Sequence, residues 1–252
     1  MEKEIGWLLK EKYNNKQMPQ FKKDVERLGK GEPVDYVIGF TEFLGCKIDL
    51  SKKTLIPRPE TGFWVEQVIE EIKKDKRKDI RYLDIFAGSG CIGIAVIKNL
   101  LLVRRSFSKG GCDFADKEIN AIKQIKINCK LNGIDKKRYK IIQSDVFKNI
   151  KRKYDYIFAN PPYIPTTRKN KIQKSVLKYE PKQALFGGKD GLFLINKFLR
   201  EAQIHLNKKG EIFMEFDYVQ KKEIEKLLKK YKYNSWEFKK DQYNRWRWVV
   251  IQ

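Results

Sequence analysis

The segment spanning residues 82–93, YLDIFAGSGCIG, constrains this chain most strongly. A short apolar run, long enough for one strand, breaks into closely spaced glycines and then resumes as a helix-length apolar stretch. Gly88 and Gly90 allow the backbone to pass close to a ligand and take φ angles denied to other residues. Asp84 falls at the end of the apolar run, placed to meet a cation or to brace the turn. The spacing of Gly88, Gly90 and Gly93 also fits the dinucleotide fingerprint, so nicotinamide binding enters the reading beside other adenosine-containing cofactors.

Beyond this turn the pattern alternates. Strand-like runs cover residues 81–86, 112–116, 139–143, 156–159 and 211–216, with two more in the tail at 236–239 and 246–251. Helical stretches cover residues 91–102, 191–206 and 219–230, together with a segment whose apolar positions are Ile119, Ile122, Ile125 and Leu131. Strands alternating with helices predict a doubly wound, mostly parallel sheet, α/β in class. In such a sheet the ligand lies beyond the carboxyl ends of the strands, where their order reverses. Ahead of it, Ile5, Leu8 and Leu9, then Phe21, Val25 and Leu28, are spaced for two short amphipathic helices. Residues 31–49 are β-prone with glycines and predict a hairpin. Thr61 is expected to cap a helix whose apolar face is Phe63, Trp64, Val68, Ile69 and Ile72. The expected division is therefore residues 1–30, a helical segment; 31–62, hairpin and linker; and 63–252, the sheet domain.

Composition narrows the class. Hydrophobic residues make up 41% of the 252, enough for a full core, so wholesale disorder is excluded. Lys and Arg outnumber Asp and Glu by 55 to 32, a net charge of +23. That excess suits a polyanionic partner, such as RNA or a ribosomal particle, or a lysine-rich solvated surface, and by itself names neither. The four cysteines, Cys46, Cys91, Cys112 and Cys129, form no C-x-x-C and do not cluster with the single His205. They predict neither a disulfide framework nor a zinc site, and they suit a reducing compartment. The start, MEKEIGWLLKEKY, is too charged for a secretory signal. Residues 92–103 are broken by Lys98 and too short to span a bilayer. A cytoplasmic protein without membrane association is expected.

Two further acids stand at predicted strand ends. A carboxylate at Asp116 is placed to accept both ribose hydroxyls of an adenosine group, whereas Asp113 points one step differently along its strand. Asp116 lies farther from the glycines than the usual twenty or so residues. The surplus falls in VRRSFSKGG, a loop insertion. Asp145 follows the third strand, within reach of an adenine edge.

The chemistry centres on YDYIFANPPYIP, residues 154–165, where a strand ends in Asn160-Pro161-Pro162-Tyr163. Two successive prolines fix φ near −65° and remove two backbone donors. They leave a stiff rim of acceptors, the Asn160 side-chain oxygen and the Pro161 carbonyl. An NH₂ group donating to both would have its nitrogen aimed at one point, and a sulfonium methyl placed there gives in-line transfer by positioning. Tyr163 offers an aromatic face to a planar substrate or to cationic sulfur. Hydride transfer has no use for such a rim, so S-adenosyl-L-methionine is favoured over a nicotinamide. The four residues alone do not choose between an exocyclic base amine and a glutamine amide.

Taken with its flanking strings, the chain resembles the PrmC/HemK family, glutamine methyltransferases that modify peptide chain release factors. The resemblance runs from about residue 31 to the C-terminus. It rests on GEPVDYVIG with EFLG, LIPRPETGFWVE, DIFAGSG, SDVF, NPPYIP, YEPKQALFGGKDGL, EIFMEFDYVQ and DQYNRWRW, in family order. It implies a Rossmann-like class I S-adenosylmethionine-dependent methyltransferase fold with a seven-stranded sheet, and S-adenosyl-L-homocysteine as product. It also implies that Phe86, Ala87, Gly88, Ser89, Gly90, Asp116, Asp145, Val146 and Asn160 contact the cofactor. Asn160, Pro161, Pro162 and Tyr163 would cradle a glutamine from a Gly-Gly-Gln loop. Arg58 and Glu60 stand in a linker that is either salt-bridged or gates the substrate. Adenine-amino or ribosomal RNA methylation, and a non-catalytic RNA-docking protein, are the competing readings. Two departures from the family are a shorter N-terminal helical region and the insertion containing Arg104 and Arg105.

Overall fold

The computed structural model describes residues 1–16, 18–77, 79–103 and 111–252. The insertion with Arg104 and Arg105 lies outside the described residues. Three helices open the chain: α1 (Glu2–Tyr13), α2 (Pro19–Gly29) and α3 (Val34–Ile38). Leu8, Tyr13, Leu28 and Val37 form their small core. Buried Asp24 ties them together, accepting from Lys12 (2.7 Å), the Tyr13 hydroxyl (2.6 Å) and Arg27 (2.8 Å).

The expected hairpin segment divides in two. Residues 34–38 form a helical turn, and pairing starts only with β1 (Phe40–Phe43) and β2 (Cys46–Asp49). Pro33 has no N–H to give a ladder, and Gly39, at φ 100°, ends the turn in a conformation natural to glycine. The next helix, α4 (Pro59–Lys73), also departs from expectation, because Arg58 rather than Thr61 is its N-cap. Pro59, whose fixed φ and missing N–H suit a first helical position, starts the helix three residues early. Thr61 thus falls inside the first turn, where its hydroxyl serves another purpose.

The remaining elements are β3 (Arg81–Ile85), α5 (Cys91–Val103), β4 (Gly111–Asp116), α6 (Ile119–Leu131), β5 (Tyr139–Gln143) and β6 (Tyr154–Ala159). They continue with α7 (Lys174–Tyr179), α8 (Phe193–Ala202), β7 (Leu206–Glu215), α9 (Lys221–Lys230), β8 (Trp236–Lys240) and β9 (Trp246–Ile251). One seven-stranded sheet has the order β5-β4-β3-β6-β7-β9-β8. The first five are parallel neighbours, and β9 runs antiparallel between β7 and β8. The doubly wound, mostly parallel expectation holds. The helix expected over residues 191–206 is shorter. Gly191 has φ 79° and would carry a Cβ only 2.1 Å from the Tyr163 carbonyl oxygen, while Leu206 already belongs to β7.

Alternate side chains of each strand serve opposite faces. In β6, Tyr156 and Phe158 face a core shared with Trp64 of α4, Ile94 of α5 and Ile125 of α6. Ile157 and Ala159 face the other core, with Phe198 of α8 and Ile224 of α9. The hairpin joins the first core through Phe43, Cys46 and Ile48. No described helix is long and apolar enough to cross a membrane.

The packing of α5 on β4 is close. A Cβ at Gly93 would lie 2.5 Å from Phe114 Cε1 and 2.9 Å from Cys112 Sγ. Gly93→Ala is expected to cost roughly 1–3 kcal/mol by overpacking, although alanine is the better helix former. Denaturant unfolding measures this, and a more stable variant would contradict the spacing.

Candidate active site

The order of the sheet reverses between β3 and β6, and the registers there bring three strand ends level. Ile85 pairs with Ala115 on one side and with Ala159 on the other. Phe86, Asp116 and Asn160 are therefore the next residues on three adjacent strands. Phe86 sits at φ 59°, followed by Gly88 at 56° and Gly90 at 78°. Val146, after β5, sits at φ 55°. Left-handed backbone at a β-branched or aromatic residue is strained, and such strain collects where surrounding structure must hold a binding geometry.

Asp116 locks the turn. Its Oδ2 accepts from the Gly88 N–H (2.9 Å) and its Oδ1 from the Glu118 N–H (2.8 Å). Burial raises its carboxyl above the usual range, against the pull of these donors. Asp84 lies beneath, 1% exposed, and Oδ2 accepts from the Gly93 N–H at 2.9 Å while Oδ1 has no hydrogen-bond partner. It braces the start of α5. Asn128 of α6, fully buried, ties the turn to the hairpin by donating to the Ser89 and Asp49 carbonyls (2.9 and 3.1 Å).

A cleft of about 510 Å³ opens above these strand ends. Phe86, Ala87, Gly88, Ser89, Asp116, Asp145, Val146, Asn160 and Pro162 line it, whereas Asp84, Gly90, Pro161 and Tyr163 are not among its lining residues. Its size is in the range of small-molecule sites. Lys197 of α8 forms an ion pair with Asp145 at 2.9 Å and holds that carboxyl below its usual range.

The segment Asn160-Pro161-Pro162-Tyr163 forms a lip at the end of β6. Asn160 is half-buried, and both prolines are buried. The later glycine segment packs directly on it: a Cβ at Gly187 would lie 2.3 Å from the Pro162 carbonyl oxygen. The Gln220 side chain donates to the Tyr163 carbonyl at 2.9 Å. Arg58 reaches the buried Glu180 at 2.6 Å, so the linker of IPRPET is salt-bridged to the segment after α7. Behind the lip stands Glu215 of β7, which sequence reading did not single out. It accepts from the Thr61 hydroxyl (2.7 Å), the Trp64 indole N–H (2.8 Å) and the Tyr163 hydroxyl (3.0 Å). Asn160 Nδ2 in turn donates to Thr61 Oγ1 at 3.4 Å. A glutamate in the apolar string EIFMEF was the available signal. Chemically, the arrangement offers fixed acceptors at the rim of a cleft that mixes apolar walls with three acidic residues, Asp116, Glu118 and Asp145.

The sequence matches the methyltransferase small domain over residues 66–189. It is 34% identical to the release factor glutamine methyltransferase of Flavobacterium psychrophilum, across 95% of this chain and 82% of that protein. The corresponding protein of Thermodesulfovibrio yellowstonii is 38% identical, across 86% of this chain and 75% of its own length. The chain belongs to the release factor glutamine methyltransferase family. Solved structures place this family member's fold among Rossmann-like class I methyltransferases. The ribosomal protein L11 methylase of Lactobacillus delbrueckii subsp. bulgaricus aligns with TM-score 0.55 and 19% identity, over 81% of this chain and 83% of that one. The T. thermophilus 16S rRNA N2 G1207 methyltransferase aligns with TM-score 0.59 and 14% identity, over 84% and 49%.

Burial lifts the Asp84 carboxyl from the usual 3.8 to about 8. The folded methyltransferase thus keeps a proton that the unfolded chain releases near pH 4, and this contribution to stability is lost as pH rises through about 8. Asp116 and Glu215 are shifted in the same direction. Unfolding midpoints should therefore fall between about pH 4 and about pH 8, the span of the Asp84 shift, and Asp84→Asn should flatten the fall. An unchanged slope in the variant would remove Asp84 from the account.

Proposed function

We propose that this protein transfers a methyl group from S-adenosyl-L-methionine to the side-chain amide nitrogen of a glutamine, in the Gly-Gly-Gln loop of a peptide chain release factor. The observation that carries this reading is the position of the lip. Asn160 and Phe86 leave adjacent strands at the same level, so the acceptor rim borders the cleft formed by the strained glycine turn.

The lining suits an adenosyl group. Asp116 keeps carboxylate lone pairs beyond its two backbone bonds, free to accept ribose hydroxyls. Asp145 is held ionised by Lys197 and can accept from an adenine amino group. Phe86 and Val146 supply apolar walls. When bound, the cofactor supplies an electrophilic methyl on a sulfonium. Asn160 Oδ1 and the Pro161 carbonyl accept the two amide hydrogens of the glutamine, and the paired prolines leave neither acceptor free to move. Held in this way, the glutamine nitrogen would present its lone pair to that methyl, and the proton it must lose on methylation would pass to water. Tyr163, tethered by its hydroxyl to Glu215, packs the plane of the amide. Most of the rate comes from holding the reacting atoms in line.

Methylation of an exocyclic base amine would use the same rim. The family of the chain and the segments LIPRPETGFWVE and GGKDGL favour the amide. On this reading residues 63–252 are the transferase unit, with its opening helix starting at Pro59, and 1–30 and 31–62 are appendages that present the substrate. The net charge of +23 suits work near RNA, and four unpaired buried cysteines suit a reducing cytoplasm.

Incubation with labelled methyl donor, release factor and, separately, ribosomal RNA and DNA should label the release factor alone. Label in nucleic acid and none in protein would overturn the proposal. Asn160→Ala should lower turnover at least about 100-fold while calorimetry still detects donor binding. Asp116→Ala should instead weaken donor affinity, on the order of 10- to 100-fold. Unchanged turnover in the first variant, or unchanged affinity in the second, would refute the role assigned to it.

A further inference from the structure

We propose that Glu215 is a positioning residue which, through the Thr61 hydroxyl, decides which end of the Asn160 amide faces the cleft. The proposal rests on the amide-methylation reading and adds what fixes the polarity of its acceptor rim.

An amide side chain presents an oxygen or an NH₂ in nearly the same shape, and only the hydrogen-bond network selects between them. Ala159 pairs with Met214, so Asn160 and Glu215 are the next residues on neighbouring strands. Glu215 is 1% exposed and belongs to no ion pair among the described residues. Arg247, the cation near it, bonds instead to Asp241 at 3.1 Å. What holds the carboxylate is three donors, Thr61, Trp64 and Tyr163. Glu215 Oε2 receives both the Thr61 hydroxyl hydrogen and the Trp64 indole hydrogen, so toward Thr61 it acts only as an acceptor.

That one-way character propagates. The single hydroxyl hydrogen of Thr61 is committed to Glu215 Oε2, so Thr61 Oγ1 has only lone pairs left to offer. Its other neighbour is the Asn160 amide, 3.4 Å away. Only Nδ2 can donate there, and a flipped amide would set two hydrogen-free oxygens against each other. Oδ1 is therefore turned from Thr61 and left as the acceptor for an incoming NH₂. Glu215 and Thr61 are 1% and 2% exposed, so water does not compete for the bond between them.

Removing the carboxylate outright would strand three donors and endanger the fold, so Thr61 is the place to test. Thr61→Val keeps the shape without the hydroxyl, and Thr61→Ser keeps the hydroxyl. With release factor as acceptor, Thr61→Val should lower kcat roughly tenfold, the equivalent of one hydrogen bond, with donor affinity held within about twofold. Thr61→Ser should restore kcat to near the starting value. Nitrogen–proton correlation spectra of the Asn160 side chain, recorded with S-adenosyl-L-homocysteine, should show a shifted amide pair in Thr61→Val and an unshifted one in Thr61→Ser. A wild-type amide spectrum in Thr61→Val, or serine failing to rescue kcat, overturns the positioning role. Wild-type protein that methylates no release factor overturns the function reading alone, because the spectra still judge the orientation of Asn160.

Discussion

Parallel pairing of β3 with a strand on each side is the constraint on which everything else depends. Parallel neighbours must be joined by crossovers, so chain segments leaving β3, β4 and β6 all emerge at one edge of the sheet. The crossovers run outward on one side of β3 and resume on the other, and the reversal leaves a crevice at the carboxyl ends of the strands. Into it project a glycine turn, an aspartate and an asparagine–diproline lip, from three strand ends that the register sets level. Residues far apart in the chain thereby become neighbours before any side-chain interaction is considered.

Those side-chain interactions then refine the position at a local cost. Phe86 and Val146 occupy left-handed backbone, and Asp84, Asp116 and Glu215 are carboxyl groups withdrawn from water. Each is expensive in isolation. They persist because the turn lies over two cores with large buried side chains, Trp64, Phe158 and Phe213 among them, and because directional donors meet most of the carboxylate oxygens. The structure sets fold stability against site geometry, as expected where polar groups are buried to specify one arrangement.

The sequence reveals what is local. Glycines next to an apolar run, an acid closing the following strand and two prolines after a later strand are each short local signals, and Gly88, Asp116 and Pro162 all line the cleft. Helix starts set by proline are legible too, yet Pro59 displaced Thr61 from the cap, and Pro33 with Gly39 turned a β-prone stretch into a helical one. Glu215 stayed hidden for a different reason. Its partners Thr61 and Trp64 lie more than 150 positions away in the chain, and only the sheet order brings them together. Gly191 shows the same limit, since its need to be glycine comes from the distant Tyr163 carbonyl.

In the proposed transfer, the lip holds a primary amide with its nitrogen beside the donor's methyl position. A crystal structure with S-adenosyl-L-homocysteine and a Gly-Gly-Gln peptide tests it most directly. It should place the glutamine Nε2 about 3 Å from both Asn160 Oδ1 and the Pro161 carbonyl oxygen, and the adenosyl group over Asp116. A glutamine bound elsewhere, or seated with its oxygen toward those acceptors, would contradict the account.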